Sequence, residues 1–190
     1  MQVSGVTLFT IGHGTLPIED FVALLQAAKI ERLVDVRTIP KSRHNPQFVR
    51  EALAESLAAY GIAYGWEPRL GGLRGKPKEP SPDVALRNDS FRNYAAYMRS
   101  EPFRVALSEL VAGLGRQSSA IMCSESVWWR CHRRMIADHV DLIEHVPVLH
   151  VMHDGRMLAH RPTEGVRVGA GQLIYDVTQQ PELPLRPPED

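Results

Sequence analysis

The sequence predicts an α/β domain: a mainly parallel, Rossmann-like sheet with helices on both faces and a C-terminal edge hairpin. Short apolar, β-rich runs alternate with stretches of helical periodicity, which implies right-handed βαβ crossovers. Most of the runs stop at a glycine or at charged residues, as strands do where they leave a sheet. Asp154-Gly155 between two apolar runs is a strong hairpin signal and places an antiparallel pair at one edge.

Taken in order, Val6 to His13 is the first strand, and Ile18, Phe21, Val22, Leu25 and Ala28 recur at helical spacing after it. Arg32 to Arg37 repeats the pattern. A second helix carries Val49, Ala52, Leu53, Leu57 and Tyr60 on one face and stops at Gly61. Ile62 to Trp66 is the third strand. Leu70 to Pro82 holds three glycines and three prolines, too many breakers for regular structure, and reads as a mobile lid or insertion. Ser90 to Arg99 is helical, and Phe103, Ala106, Leu107, Leu110, Val111 and Leu114 mark an amphipathic helix that Gly115 ends. Ala120 to Cys123 is a buried-type strand, Trp128 to about Leu142 a helix, Val146 to Met152 a strand, and Leu149 to His160 the hairpin. Residues 1–160 form the domain, and 161–190 form an extension, partly disordered in its proline-rich tail from Pro181.

A chain of 190 residues that is 44% hydrophobic and 23% charged is long enough to bury a core. No apolar run approaches the length that crosses a bilayer, and the first ten residues lack the basic and apolar regions of a signal peptide, so the expected location is cytoplasmic. Two cysteines exclude a disulfide scaffold. Net charge is zero, so no global field recruits nucleic acid or an anionic membrane. Locally, no acid interrupts Arg37, Lys41, Arg43, His44 and Arg50, and a second basic stretch runs from Arg69 to Lys78. Of the 22 cations only Lys29, Lys41, Lys76 and Lys78 are lysines; the arginines suit bidentate anion binding, although base composition alone enriches arginine.

Parallel sheets bind ligands at the carboxyl ends of their strands. His13 follows the first strand, Asp35 and Arg37 end the second, Pro68 and Arg69 follow the third, and Cys123 to Glu125 close the fourth. Each has a bland reading: a turn-capping aspartate, a satisfied loop histidine, a helix-capping glutamate. Together at one edge they predict a site. Within it, His13, Asp35, Cys123, Glu125 and His132 are the catalytic candidates, and Thr15, Arg37, Arg43 and Arg133 the substrate-binding ones.

Several motifs recur in order at family-like spacing. They are Thr10-Ile-Gly-His-Gly-Thr15, Leu33-Val-Asp-Val-Arg37, Pro40-x-Ser42 with Asn45-Pro-Gln-Phe48, Leu70-Gly-Gly72, Tyr94-x-x-Tyr-Met98, and Cys123-x-Glu125 before Cys131-His-Arg133. Over about residues 7–150 the chain resembles the bacterial and archaeal domain-of-unknown-function family 488. The resemblance implies the α/β fold and a functional role for the motif residues, and supplies no reaction. Gly14 stands where many members carry serine.

Four chemistries compete for the site. A thiol nucleophile bears a faint likeness to rhodanese-like sulfurtransferases and cysteine phosphatases, but six residues without glycine separate Cys123 from Arg130, and Glu125 beside the thiol would raise its pKa. A metal held by Cys123, Cys131, His132 and His13 is disfavoured because adjacent helical residues point about 100° apart; His13, Asp35 or Glu125 are the other candidate ligands, and no metal or cofactor is expected. Carboxylate acid/base catalysis on an anionic, nucleotide-like or phosphorylated substrate is the preferred reading: Glu125 and Asp35 act, His13 or His132 relays the proton, and Arg37, Arg43 and Arg133 hold the anion. Trp66, Trp128 or Trp129 would stack on a base, with core packing as the alternative. A non-catalytic nucleotide or nucleic-acid binding module stands beside it. The expected partners are therefore a small anionic ligand or nucleic acid, without a membrane, and Cys131 is read as core. The oligomeric state is not legible.

Overall fold

Eight strands and five helices make up the computed structural model, which describes residues 5–178. The strands are β1 (Leu8–Gly12), β2 (Arg32–Asp35), β3 (Ala63–Trp66), β4 (Ser119–Cys123), β5 (Val148–Val151), β6 (Met157–Ala159), β7 (Val166–Gly169) and β8 (Gln172–Tyr175). The helices are α1 (Ile18–Ala27), α2 (Arg50–Ala59), α3 (Asp89–Met98), α4 (Glu101–Leu114) and α5 (Arg133–Leu142). Six strands form one sheet in the order β3-β2-β4-β1-β5-β6, parallel except for the β5–β6 pair. The α/β class and the edge hairpin are those the periodicity predicts, with Leu149 opposite Ala159 and Gly155 at φ +81° in the turn.

The order is what builds the site. After β1 the chain moves outward to β2 and β3, and β4 then returns to fill the gap between β2 and β1. The carboxyl ends of three adjacent strands therefore face one space. Phe21, Val22 and Leu25 of α1 and Leu53 and Leu57 of α2 pack on one face of the sheet with Leu33 and Met122. Tyr94, Phe103, Leu107, Leu110, Met135 and Ile136 of α3, α4 and α5 cover the other, against Val34 and Ile121. Both faces of the central strands are dry, which is why these read as continuous apolar runs.

Three expectations need correction. The helix expected from Trp128 is a 3₁₀ turn over Trp128–Arg130, an extended Cys131 (φ −118°, ψ 148°), and only then α5. The segment after residue 160, expected as a partly disordered extension, contains the β7–β8 hairpin, which buries Leu173 and Tyr175 in the core of α3–α5. Tyr175 donates to the buried Asp138 carboxylate at 3.0 Å, which ties the hairpin to α5. The tail from Pro181 lies outside the described residues. The breaker-rich segment after Leu70 is irregular, but its start is pinned: Leu70 is buried, and Arg74 donates to the carbonyls of Pro68, Arg69 and Gly71 while lying 3.7 Å over the Tyr97 ring. Among the described residues no helix is long and apolar enough to cross a membrane.

Candidate active site

A cleft of about 1010 Å³ opens over the ends of β1, β2 and β4. His13, Thr15, Arg37, Cys123, Glu125 and His132 line it; Asp35, Arg43 and Arg133 do not. Asp35 is fully buried behind the wall, and Arg43 is exposed elsewhere. Lys41 and Arg130 join the lining unforeseen, together with Trp129, one of the expected stacking residues, and Cys131, expected in the core.

Asp35 and Arg37 form a bidentate pair. Arg37 donates from Nε to Oδ1 at 2.9 Å and from Nη2 to Oδ2 at 2.6 Å, and Tyr64 adds its hydroxyl to Oδ2 at 2.8 Å. Arg37 also donates from Nη2 to the Phe48 carbonyl and from Nη1 to His13 Nε2 at 3.2 Å. His13 in turn donates from Nδ1 to the Gly14 carbonyl at 2.9 Å and stacks on Phe48. Both ring nitrogens are taken. Burial, reinforced by the Arg37 charge, lowers its pKa to about 4, so the ring is neutral at physiological pH. Asp35, Arg37 and His13 thus brace the floor, and the proton-relay role expected of His13 and the base role expected of Asp35 find no free atom here.

The thiols lie at the other end of the cleft. Cys123, the last residue of β4, is 7% exposed; its Sγ is 3.7 Å from His132 Nδ1, and Cys131 Sγ is 3.7 Å from the same nitrogen. His132 Nε2 donates to the Val36 carbonyl at 3.2 Å. A carbonyl accepts only from N–H, so Nδ1 is the nitrogen left to take a thiol proton. Gly72 packs against this ring so closely that a Cβ would lie 2.5 Å from Nδ1. The hydrogen bond from Cys131, with His132 and the Arg133 charge, outweighs burial and holds the Cys123 thiol well below its ordinary pKa. Burial and the Cys123 thiolate push Cys131 well above it. The expectation that Cys131 is a bystander of the core is incomplete: it is buried, and it touches the site.

Each carbonyl of the loop from Cys123 to Ser126 is held by a donor. His13 and Gly14 amides donate to the carbonyls of Cys123 and Ser124 at 3.0 and 2.9 Å, and Arg133 donates to those of Glu125 and Ser126 at 2.7 and 3.1 Å. In a trans peptide N–H and C=O point oppositely. The amides of Ser124, Glu125, Ser126 and Val127 therefore face away from these donors, and among the described residues none has a protein acceptor. Backbone amides without a protein acceptor are available to donate to an anion. Gly12 makes the close approach possible, since a Cβ there would lie 1.7 Å from the Glu125 oxygen.

Arg133 is 1% exposed and, among the described residues, donates to these two carbonyls and to no carboxylate. A buried cation needs a nearby anion. Cys131, Cys123 and Glu125 are the acidic groups whose field reaches it, and the Glu125 carboxylate, expected to pair with Arg37 and Arg133, is exposed at the cleft and forms no ion pair with either. Donor atoms of Cys123, Cys131 and His132 lie within 4.8 Å of one another, a three-ligand set for a thiophilic ion. The helical divergence expected to prevent this does not apply, because Cys131 is extended and precedes α5. Trp66 and Trp128 are occupied: Trp66 donates to the Arg37 carbonyl beneath Arg50, and Trp128 stacks on His150. Trp129 is 46% exposed at the cleft wall.

A family model, the domain of unknown function family 488, matches residues 17–140. No curated protein and no solved structure matches the chain.

Proposed function

Because the chain belongs to the domain of unknown function family 488, a family defined without an activity, we propose from the site alone that it is an enzyme that transfers a phosphoryl group from an anionic monoester to water through Cys123. The observation that carries this reading is the Cys123–Val127 loop, whose carbonyls are held from behind while its amides are left without partners around a thiol. The carboxylate emphasis of the sequence reading narrows to Glu125, since Asp35 is consumed by Arg37 and Tyr64.

Cys123 gives its proton to His132 Nδ1, and the amides of residues 124–127 hold the equatorial oxygens of the substrate. The thiolate forms an S–P bond as the P–O bond to the leaving group breaks, and that oxygen takes a proton from Glu125. Water then attacks phosphorus, Glu125 accepts its proton, the S–P bond breaks, and inorganic phosphate leaves with the thiolate restored. Lys41 and Arg130 supply positive charge at the rim.

The test is hydrolysis of a panel of phosphate monoesters, p-nitrophenyl phosphate included, by the full chain and by Cys123→Ser. Turnover in the wild type, a phosphorylated Cys123 peptide after acid quench and loss of turnover in the variant support the reading. Undiminished turnover in Cys123→Ser, or neither turnover nor phosphate binding in the wild type, overturns it.

A further inference from the structure

Trp129, Asn88 and Phe91 line the cleft on one side and a second cavity of about 1360 Å³ on the other. This chamber is unlike the first. Val84, Val177 and Trp129, three of the large apolar side chains that the fold leaves exposed, gather at it. Arg87, Arg134 and Arg161 also line it against the single carboxylate of Glu164, and none of the three has an ion-pair partner among the described residues. Arg134 fixes the dividing wall, lying 4.3 Å over the Phe91 ring and donating to the Trp129 carbonyl at 2.9 Å.

An anion cradle that shares a wall with a chamber of exposed apolar surface, an exposed indole and the guanidinium groups of Arg87 and Arg161, which have no ion-pair partner among the described residues, fits a ligand with the same division. One end must be a tetrahedral anion and the other a flat, weakly polar ring. Between them must run a spacer long enough to pass the wall. A nucleoside phosphate has this form: its phosphate meets the loop amides, its sugar crosses the wall, and its base stacks on Trp129 with arginines over its edges. An aryl group bonded directly to the phosphate, as in a phosphotyrosine, keeps its ring on the cradle side and leaves the chamber empty. We infer that the chamber beyond Trp129 is the base-binding subsite of this enzyme, and that its substrates are nucleoside phosphates, free or at the end of a polynucleotide. The inference rests on the anion-cradle reading above and adds to it the identity of the substrate's other half.

Calorimetric titration of full-length Cys123→Ser, which binds without turning over, separates the possibilities. The ligands are inorganic phosphate, ribose 5-phosphate, nucleoside 5′-monophosphates, a 5′-phosphorylated single-stranded hexanucleotide and a tyrosine-phosphorylated peptide. Nucleoside monophosphates or the hexanucleotide are expected to bind at least tenfold more tightly than ribose 5-phosphate. The exposed Trp129→Leu is expected to remove that advantage, so that nucleoside monophosphates bind no more tightly than ribose 5-phosphate. Arg161→Ala, a surface change on the far side of the chamber, is expected to weaken the nucleotide and not phosphate. Preference for the hexanucleotide over every monophosphate assigns the substrate to polynucleotide ends, and the reverse assigns it to free nucleotides. Equal affinity for ribose 5-phosphate and the nucleotides, or tighter binding of the phosphopeptide, overturns the base subsite and leaves the cradle standing. Binding of none of them, phosphate included, removes the cradle as well.

Discussion

Arg133 Nη1 donates to the carbonyl oxygen of Glu125 at 2.7 Å, so the buried charge lies beneath the loop and not against the Glu125 carboxylate. One guanidinium spans two carbonyls, shapes the loop and adds its charge to the Cys131 and His132 interactions that lower the Cys123 pKa. A lysine has a single point of charge and cannot span both. Arg133→Lys is expected to weaken phosphate binding at least tenfold, equivalent to about 1.4 kcal/mol, and to destabilise the fold by about 2–3 kcal/mol through one buried carbonyl left unpaired. Calorimetry and denaturant titration measure the two effects, and normal phosphate affinity in the variant removes Arg133 from the site.

Cys123 reactivity follows the fraction of thiolate. A free thiol of ordinary pKa near 8.5 loses about 75-fold in alkylation rate between pH 8 and pH 6. Cys123, held lower by Cys131, His132 and Arg133, is expected to lose clearly less than a free thiol over that interval, and Cys131 is expected to stay unlabelled. Iodoacetamide labelling followed by peptide mapping reads both. A profile for Cys123 like that of a free thiol refutes the thiolate.

Glu125 is exposed, so its replacement touches little packing. Glu125→Gln is expected to change stability by less than about 0.5 kcal/mol, to leave Cys123 alkylation unaltered, and to cut turnover of phosphate monoesters at least tenfold. Rates equal to the wild type would make Glu125 only a loop residue.

His13 links the brace to pH. Its folded pKa of about 4 lies below the ordinary 6.5. In the unfolded chain it takes up a proton below pH 6.5, while in the folded protein it resists until about pH 4. Its contribution to stability is therefore fully present above pH 6.5 and is lost as pH falls towards 4, by up to about 3 kcal/mol. His13→Asn is expected to be less stable at pH 7.5 and to show a flatter decline over this window by urea denaturation. A decline as steep as that of the wild type would transfer the effect to other groups.

Gly12 borders Glu125 with no room for a methyl group. Gly12→Ala is expected to cost more than about 3 kcal/mol or to displace the loop and abolish phosphate binding, since backbone rather than a flexible side chain occupies the space. Circular-dichroism melting with calorimetry distinguishes the two, and a variant unchanged in both would contradict the close approach.

Local pattern was enough for most of the architecture. Apolar spacing marks α1, α2 and α4 because each buries one stripe, and short apolar runs mark the central strands because both their faces are dry. Asp154-Gly155 marks the β5–β6 turn because the turn itself demands a left-handed residue. The strand-end placement of His13, Asp35, Arg37, Cys123 and Glu125 was equally legible, since it follows from where each run stops. Their roles were not. Whether His13 is free or spent depends on Arg37, twenty-four positions away, and whether Arg133 faces a carboxylate or two carbonyls depends on how closely β1 approaches the loop through Gly12. Cys131 breaks the expected helix because its side chain meets Cys123 and His132 in the core, and β7–β8 forms because Tyr175 reaches Asp138. Periodicity records how each segment buries itself. Hydrogen-bond direction, tautomer and ion pairing arise only between segments distant in sequence, and tertiary structure alone decided them.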